Sequence, residues 1–371
     1  MIHPVKVLFL FFVFAPWLAS QASEPVSAGA VLADLGLREY SVASRDLPGW
    51  KVPSKIVVRT LDPKQAESLR SALPGIEVVG VQSVEQASAE IADADVLLGY
   101  CDEALLQQGK KLRWLQVYWA GVEDCVGLEK IQSGEVILTN GQRIGSPALA
   151  EHSIAMMMML MRGLDIHYTK QKEGVWQRDV GNPENTFIEL SGRTALVLGL
   201  GGIGTQVAKR AHALGMRVLA TRGSRREGPD YIDYVGLSDE TNTLAKQADV
   251  VINTLPLTQQ TRGMLDSAFF QSMKPTAYYI SVGRGATTVT DDMVAALEKG
   301  VIAGAGLDVV DPEPLPAGHP LWSMPRVIIT PHTGGRSDRS IQRLFMLVGE
   351  NMKRYVAGDA LLSVVDPKRG Y

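Results

Sequence analysis

The stretch Thr194-Ala-Leu-Val-Leu-Gly-Leu-Gly-Gly-Ile-Gly204 limits what this chain can fold into more than any other segment. Ala195 to Leu198 is a short apolar run of the kind buried on both faces of a parallel sheet. It runs into Gly199, Gly201 and Gly204, and then into residues 205–215, where Val207, Ala208, Ala211 and Leu214 recur at helical spacing. Strand, glycine turn and helix in that order make a dinucleotide-binding fingerprint out of a glycine pattern that is weak by itself. Gly199 permits the tight turn, Gly201 lets the backbone approach a pyrophosphate, and Gly204 lets the helix pack closely on the strand. Gly202 and Ile203 open the helix, whose free N–H groups and partial positive charge face the phosphates. Without a ligand the segment would be only a glycine-rich turn, a reading that its flanks argue against.

The next apolar run, Met216–Ala220, decides which dinucleotide. An acid that binds the ribose 2′-hydroxyl is expected about 20 residues past the first glycine. The sequence there is Thr221-Arg222-Gly223-Ser224-Arg225-Arg226, with no carboxylate. Arg222, Ser224 and Arg225 offer the guanidiniums and hydroxyl that grip a 2′-phosphate. The alternative is a solvated basic loop. The pattern selects NADP(H), with NAD(H) as second choice.

At 371 residues the chain has room for two domains. A formal charge of −3 gives no basic footprint for nucleic acid. There is no Cys/His cluster with metal spacing. Cys101 and Cys125 are too few for a disulfide framework and leave a single bridge open.

The first residues are unusual. Lys6 precedes an almost wholly apolar run, Val7–Leu18, followed by Ala19-Ser-Gln-Ala22. That is the anatomy of a secretory signal, too short in its apolar core for a transmembrane span. Residues 1–22 read as a signal peptide, which places the mature protein in an exported, periplasmic setting and off the membrane. A misassigned start or an uncleaved anchor would leave it cytoplasmic. Export conflicts with the use of a reduced nicotinamide cofactor, a cytoplasmic commodity.

Residues 24–53 form a polar lead-in with a short helix around residues 31–37. From Lys55 a βα rhythm begins, with strands at 56–59, 76–79, 96–99, 114–118 and 136–139 and helices between them. Residues 146–163 read as a long helix, with Ser146 as N-cap, Pro147 in its first turn and Gly163 at its end. It is apolar nearly all round, so it is buried between domains or subunits. Its methionines read as packing and His152 as a hydrogen-bonded structural residue. Residues 170–190 read as a crossing loop into a second α/β unit. That unit places strands at 195–198, 216–220, 250–255, 277–282, 302–309 and 326–330, and an amphipathic helix follows at 340–355.

Ligands of such sheets bind at the carboxyl ends of the strands. Arg284, Asp308, Glu313 and His332 each lie at or just past such an end. Reduction of a carbonyl by hydride needs a proton donor, a cation for an acidic substrate and a group that tunes the donor. His332 can donate, Glu313 can orient its ring and favour the imidazolium, and Arg284 can grip a 2-oxo carboxylate. Each alone is weak; on successive strand ends they reinforce one another.

Five blocks in order then carry a resemblance: residues 199–204, Thr254-Leu-Pro256-Leu-Thr258, Ser281-Val-Gly-Arg284-Gly285, Leu307-Asp308-Val-Val-Asp-Pro-Glu313-Pro314 and Pro331-His332-Thr-Gly-Gly335. Across about residues 55–371 the chain resembles the D-isomer-specific 2-hydroxyacid dehydrogenases. The resemblance implies an α/β fold of two doubly wound parallel-sheet domains with the active site in the cleft between them. A flavodoxin-like substrate domain would comprise residues 51–145 and 336–371, and a Rossmann NAD(P)-binding domain residues 146–335. Arg284 would orient substrate, Glu313 pair with the histidine and His332 donate the proton. Asp308 would face the nicotinamide carboxamide, and Thr254 and Pro256 would line the cofactor. The backbone of Ala120, Gly121 and Val122 would hold the substrate carboxylate. The family is usually dimeric through the cofactor domain, which implies a homodimer.

Residues 320–327 and the ending Val365-Asp-Pro-Lys-Arg-Gly-Tyr371 resemble the glyoxylate/hydroxypyruvate reductase branch. The expectation is therefore NADPH-preferring reduction of a small 2-oxo acid to the D-2-hydroxy acid. Trp119, where a small residue is commoner, departs from the pattern and keeps a bulkier 2-oxo acid open. Formate or phosphite oxidation on the same scaffold is an alternative that the Glu313/His332 pair disfavours. A dinucleotide-sensing corepressor is a further one, disfavoured by the intact Arg/Glu/His set.

Overall fold

The computed structural model describes residues 28–60, 63–181 and 186–370; the signal-like residues 1–22 lie outside them. The short apolar runs become strands. In the first unit these are β1 (Lys55–Arg59), β2 (Glu77–Val81), β3 (Val96–Leu98), β4 (Trp114–Gln116) and β5 (Ile137–Thr139). They form one parallel sheet in the order β2-β1-β3-β4-β5. The second unit holds β6 (Thr194–Leu198), β7 (Arg217–Arg222), β8 (Tyr234–Leu237), β9 (Val250–Asn253), β10 (Tyr278–Ser281), β11 (Gly304–Leu307) and β12 (Val327–Ile329). Its parallel order is β12-β11-β10-β9-β6-β7-β8. Strand order reverses between β6 and β9, which opens a crevice at their carboxyl ends. The two doubly wound sheets are those implied by the sequence.

Helices cover both faces of each sheet, because strands apolar on both sides must be covered on both sides. In the second unit one face packs under the helices Ser146–Met161 and Gly202–Ala213, with Met156, Met157 and Met161 buried in that core. The methionine run is packing, although Met158 is exposed. The helix Ser340–Ala357 leaves the second unit and returns to the first. There Leu344, Leu347, Val348 and Met352 share a core with Ile56 and Val58.

The lead-in is docked, not loose. Its helix, Ala28–Asp34, buries Leu32 in the core of the first unit. Trp50 Nε1 donates to the Tyr355 carbonyl at 3.1 Å, and Glu39 bridges to Leu362.

Three elements differ from the sequence reading. Gly145 occupies the cap position of the interdomain helix and Ser146 lies inside it, making no capping hydrogen bond. The helix Leu164–Lys172 begins where a loop was expected only six residues later; it buries no residue, so no amphipathic pattern announced it. The edge strand β8 was missed because it is four residues long and covered on one side only.

Cys101, past β3, and Cys125, in the loop after β4, are joined in a disulfide across 24 positions of sequence. Restricting a loop of that length in the unfolded chain stabilises by on the order of 3 kcal/mol. Reduction, or Cys101→Ser, is therefore expected to lower the melting temperature by roughly 5–10 °C in a domain of this size. Equal melting with and without dithiothreitol, at thiol counts that show reduction, would contradict this.

Candidate active site

Arg284 follows β10, Glu313 follows β11 and His332 follows β12, and these three strands are immediate neighbours in the sheet. Neighbouring strands lie about 4.8 Å apart, so the three side chains issue from one short stretch of the carboxyl edge. The backbone around them is tight. A Cβ at Gly283 would stand 2.5 Å from the Leu255 carbonyl oxygen, and one at Gly285 1.8 Å from that of Val310. The glycines beside Arg284 thus serve close packing of the strand ends more than space for its side chain.

The Arg284 guanidinium crosses to the first unit. Its Nε donates to Glu123 Oε1 at 2.9 Å and Nη1 to its neighbour's carbonyl, Gly283, at 3.0 Å. Gly121 comes so near that a Cβ there would lie 2.1 Å from Nη2. The loop of Ala120, Gly121 and Val122 and Arg284 are therefore brought together across the cleft. Asn140 Nδ2 holds the Ala120 carbonyl at 2.7 Å, and the carbonyl of buried Val122 accepts from the N–H groups of Cys125 and Val126. Trp119 is half-exposed beside this loop. Glu123 was not singled out by sequence, because a lone surface acid carries no signal until its partner is known.

His332 sits in the left-handed region with φ 52°, its N–H shared between the Asp308 and Thr330 carbonyls. Its Nδ1 meets Glu313 Oε2 at 2.8 Å, and Glu313 Oε1 accepts from the Val310 N–H at 3.1 Å. Both ends of the carboxylate are thus used to hold the imidazole. Among the described residues Nε2 has no partner and is left for a ligand.

Asp308 has a structural task in the turn. Its carboxylate is buried, where Oδ1 accepts from Thr330 Oγ1 at 2.6 Å and from the Thr333 N–H at 3.0 Å. Oδ2 accepts from the Gly334 N–H at 3.0 Å. Backbone donors left bare by the turn after His332 are thereby satisfied, so Asp308 shapes the loop that carries the histidine. The Thr330 hydroxyl spends its proton on Asp308, so His152 Nε2, 2.9 Å away, donates to Thr330. His152 is thereby a structural partner.

The cofactor residues divide in the same way. Gly199 has φ 88°, and a Cβ at Gly204 would lie 1.8 Å from the Gly199 carbonyl oxygen. No atom lies within 4 Å of a Cβ built at Gly201, and no side chain caps the helix it starts. That open, uncapped helix start, with Gly202 and Ile203 in its first turn, fits a pyrophosphate. Thr254 Oγ1 donates to the backbone of this turn, at 2.9 Å from the Leu198 carbonyl and 2.8 Å from that of Gly199. Thr254 therefore braces the turn, while Pro256 is exposed. Arg222 ends β7 with its Nε buried and unpartnered. Burial, with Arg225 and Arg38 nearby, lowers its pKa below the usual arginine value. Ser224 and Arg225 are exposed beside it, whereas Arg226 turns away to Glu240 at 2.6 Å. An orphaned guanidinium donor beside an exposed hydroxyl fits a phosphate. Among the described residues no group of side chains could hold a metal ion, and no helix is long and apolar enough to cross a membrane.

Residues 154–334 match the family described as D-isomer specific 2-hydroxyacid dehydrogenase, NAD binding domain. A glyoxylate/hydroxypyruvate reductase A from Photorhabdus laumondii is 32% identical over 60% of this chain and 68% of its own. A D-isomer specific 2-hydroxyacid dehydrogenase family protein from Aeromonas salmonicida superposes with a TM-score of 0.73 at 30% identity, covering 84% of this chain and 99% of that one. An NADPH-dependent glyoxylate/hydroxypyruvate reductase from Sinorhizobium meliloti, solved with NADP and sulfate, gives 0.71 at 26% identity over 86% of this chain and 100% of its own.

The structural task of Asp308 has a measurable consequence. Asp308→Asn puts an amide N–H₂ against backbone donors and loosens the turn that carries His332. An ångström of misplacement costs on the order of 100-fold in rate. Turnover is expected to fall by about that much, with dinucleotide affinity unchanged. A large loss of dinucleotide affinity with intact turnover at saturation would instead place Asp308 against the nicotinamide.

Proposed function

Because the chain belongs to the D-isomer-specific 2-hydroxyacid dehydrogenase family, we propose that it reduces a small 2-oxo acid, such as glyoxylate or hydroxypyruvate, to the D-2-hydroxy acid. NADPH is the preferred reductant in this reading and NADH the poorer one. The observation that carries it is the His332–Glu313 pair at 2.8 Å, set on the strand end next to that of Arg284. A pair built to hand over a proton suits the carbonyl/alcohol interconversion and has no use in formate oxidation, where hydride leaves with no proton to move.

The glycine turn and helix start at residues 199–204 would hold the pyrophosphate, and Arg222, Ser224 and Arg225 the 2′-phosphate. When bound, the nicotinamide supplies the hydride to the carbonyl carbon. Arg284 and the N–H groups of Gly121 and Val122 hold the substrate carboxylate, as charge-assisted donors do best where water is excluded. His332 Nε2 gives its proton to the developing alkoxide, and Glu313 keeps the ring aimed through Nδ1. The substrate loop and Arg284 belong to different units, so closing the cleft completes the site and expels water. Preference for NADPH is supported by the orphaned Nε of Arg222 and by the NADP held in the Sinorhizobium relative.

Two properties of the whole protein belong to the same proposal. Export is supported by the signal-like residues 1–22 and by the Cys101–Cys125 disulfide, a bond that persists in oxidising compartments. A homodimer is supported by an exposed apolar row, Leu164, Tyr168 and Trp176, the last 92% exposed.

In a steady-state assay of the chain lacking residues 1–22, glyoxylate and hydroxypyruvate are expected to turn over faster with NADPH than with NADH. Turnover of phenylpyruvate alone would move the pocket to a bulkier acid at Trp119, and no turnover with any pair would defeat the proposal. His332→Ala should lose roughly 10²–10⁴-fold in turnover, the usual worth of a general acid. Arg284→Ala should lose mainly in kcat/KM, and both variants should bind NADPH normally. In sedimentation, Trp176→Glu should convert a dimer to a monomer; an unchanged dimer would place the interface elsewhere.

A further inference from the structure

Four arginines gather at the mouth of the dinucleotide crevice, and two of them come from outside the dinucleotide-binding unit. Arg143 lies in the loop after β5, and its backbone is in the left-handed region with φ 69°. A β-carbon makes that conformation costly, and such strain is kept where a side chain is needed in one place. The stem of Arg143 runs along the glycine turn: a Cβ at Gly202 would lie 2.7 Å from its Cγ. Its head reaches the docked lead-in, where Nη1 donates to the Leu35 carbonyl at 3.4 Å and a Cβ at Gly36 would lie 3.1 Å away. Arg38 follows two residues later, exposed, and within electrostatic range of both Arg143 and Arg222.

These cations are uncompensated. Among the described residues no carboxylate pairs with Arg38, Arg143, Arg222 or Arg225, although the chain forms ion pairs freely elsewhere. The Nε of Arg222 is buried with no partner. Burial, then Arg38 and Arg222, push the pKa of Arg143 down, and Glu227 is the single acid acting in the opposite sense, on Arg222. Like charges crowded in a partly buried place repel and are desolvated at a cost, unless an anion with several oxygens sits among them. With the stem of Arg143 against the pyrophosphate turn and Arg222 ending β7, that anion falls at the end of β7, on the 2′ side of the adenosine ribose.

We propose that Arg143 and the lead-in residue Arg38 bind the 2′-phosphate of NADP(H) together with Arg222 and Arg225, so that the segment before the first sheet is a working part of the cofactor site. The inference rests on the NADPH reading above and extends it to residues outside the part of the chain that matches the dinucleotide-binding family. It gives the lead-in a role that its polar, punctuated sequence did not disclose. Its helix, anchored by Leu32, carries the chain past Gly36 and delivers Arg38 to the crevice.

The test is the binding of NADPH and of NADH, by nicotinamide fluorescence, to the wild type, Arg143→Gly and Arg38→Ala. Arg143→Gly relieves the left-handed backbone, so it should fold at least as well as the wild type, and its melting temperature checks this. Arg38 is exposed, and its loss should not affect folding. Each variant is expected to weaken NADPH by roughly tenfold or more, the usual worth of a charge-assisted contact to phosphate, and NADH by less than about twofold. Free 2′,5′-ADP should compete with NADPH on the wild type and lose potency in parallel on the variants. Equal weakening of both dinucleotides would overturn the assignment by moving the arginines to the pyrophosphate, and unchanged binding of both would remove them from the site. The wild type by itself tests the underlying reading: similar affinity for NADPH and NADH would end the NADPH preference whatever the variants do.

Discussion

The contact on which the second unit depends is the approach of Gly204 to the Gly199 carbonyl, where any β-carbon would sit 1.8 Å from oxygen. Because the first helical turn can lie against the strand end, the helix starts in the crevice and its unbonded N–H groups face outward. Thr254, at the end of β9, locks the arrangement by donating to the Leu198 and Gly199 carbonyls. That hydroxyl ties the glycine turn to the neighbouring strand across the switch in strand order. Thr254 therefore holds the shape of the glycine turn from the neighbouring strand, which is one reason a motif can join residues of separate strand ends.

Asp308 repeats this logic on the other side of the crevice. A buried carboxylate is stable only if its oxygens are satisfied, and here the donors are the hydroxyl of Thr330 and the backbone N–H groups of Thr333 and Gly334. Those donors bracket His332, so burying the charge fixes the histidine's backbone, including its left-handed φ of 52°. Glu313 then fixes the ring. Orientation of one imidazole is divided between two acids: one buried that sets the main chain, one nearer the surface that sets the side chain. His152 extends the network to the helix joining the two units, so the turn that carries the histidine is tied to that helix.

Much of this was legible in the sequence because its determinants are local. A strand buried on both faces is an apolar run, a glycine turn is written in glycines, and the ends of β10, β11 and β12 carry Arg284, Glu313 and His332 within a few positions. At Asp308 and Thr254 the motif marked the residue, whereas the hydrogen bonds each makes were not legible, since they are set by which backbone groups the neighbouring turns leave bare. What could not be read was whatever depends on two distant segments meeting. Glu123 acquires meaning only against Arg284, 161 positions away, and Arg143 only against Gly202 and the lead-in. Arg143 had a local trace as well, a long side chain where the backbone wants glycine, but φ is not visible in a sequence. The Cys101–Cys125 bridge was undecidable for the same reason until β3 and the loop after β4 were placed side by side.

The crossing contacts also constrain the guanidinium. Arg284 uses its Nε–H for Glu123 and one Nη1–H for the Gly283 carbonyl, which leaves the second Nη1–H and both Nη2–H groups. Nη2 is also the atom closest to Gly121, where even a methyl group would not fit. In the proposed reading, a carboxylate gripped by this guanidinium lies at the join of the two units, where the loop of the first meets the strand end of the second. Trp119, half-exposed, precedes that loop. Under the proposed function, the close join of guanidinium and glycine is what favours a small acid, and Trp119 is the neighbouring side chain that a larger one would have to meet.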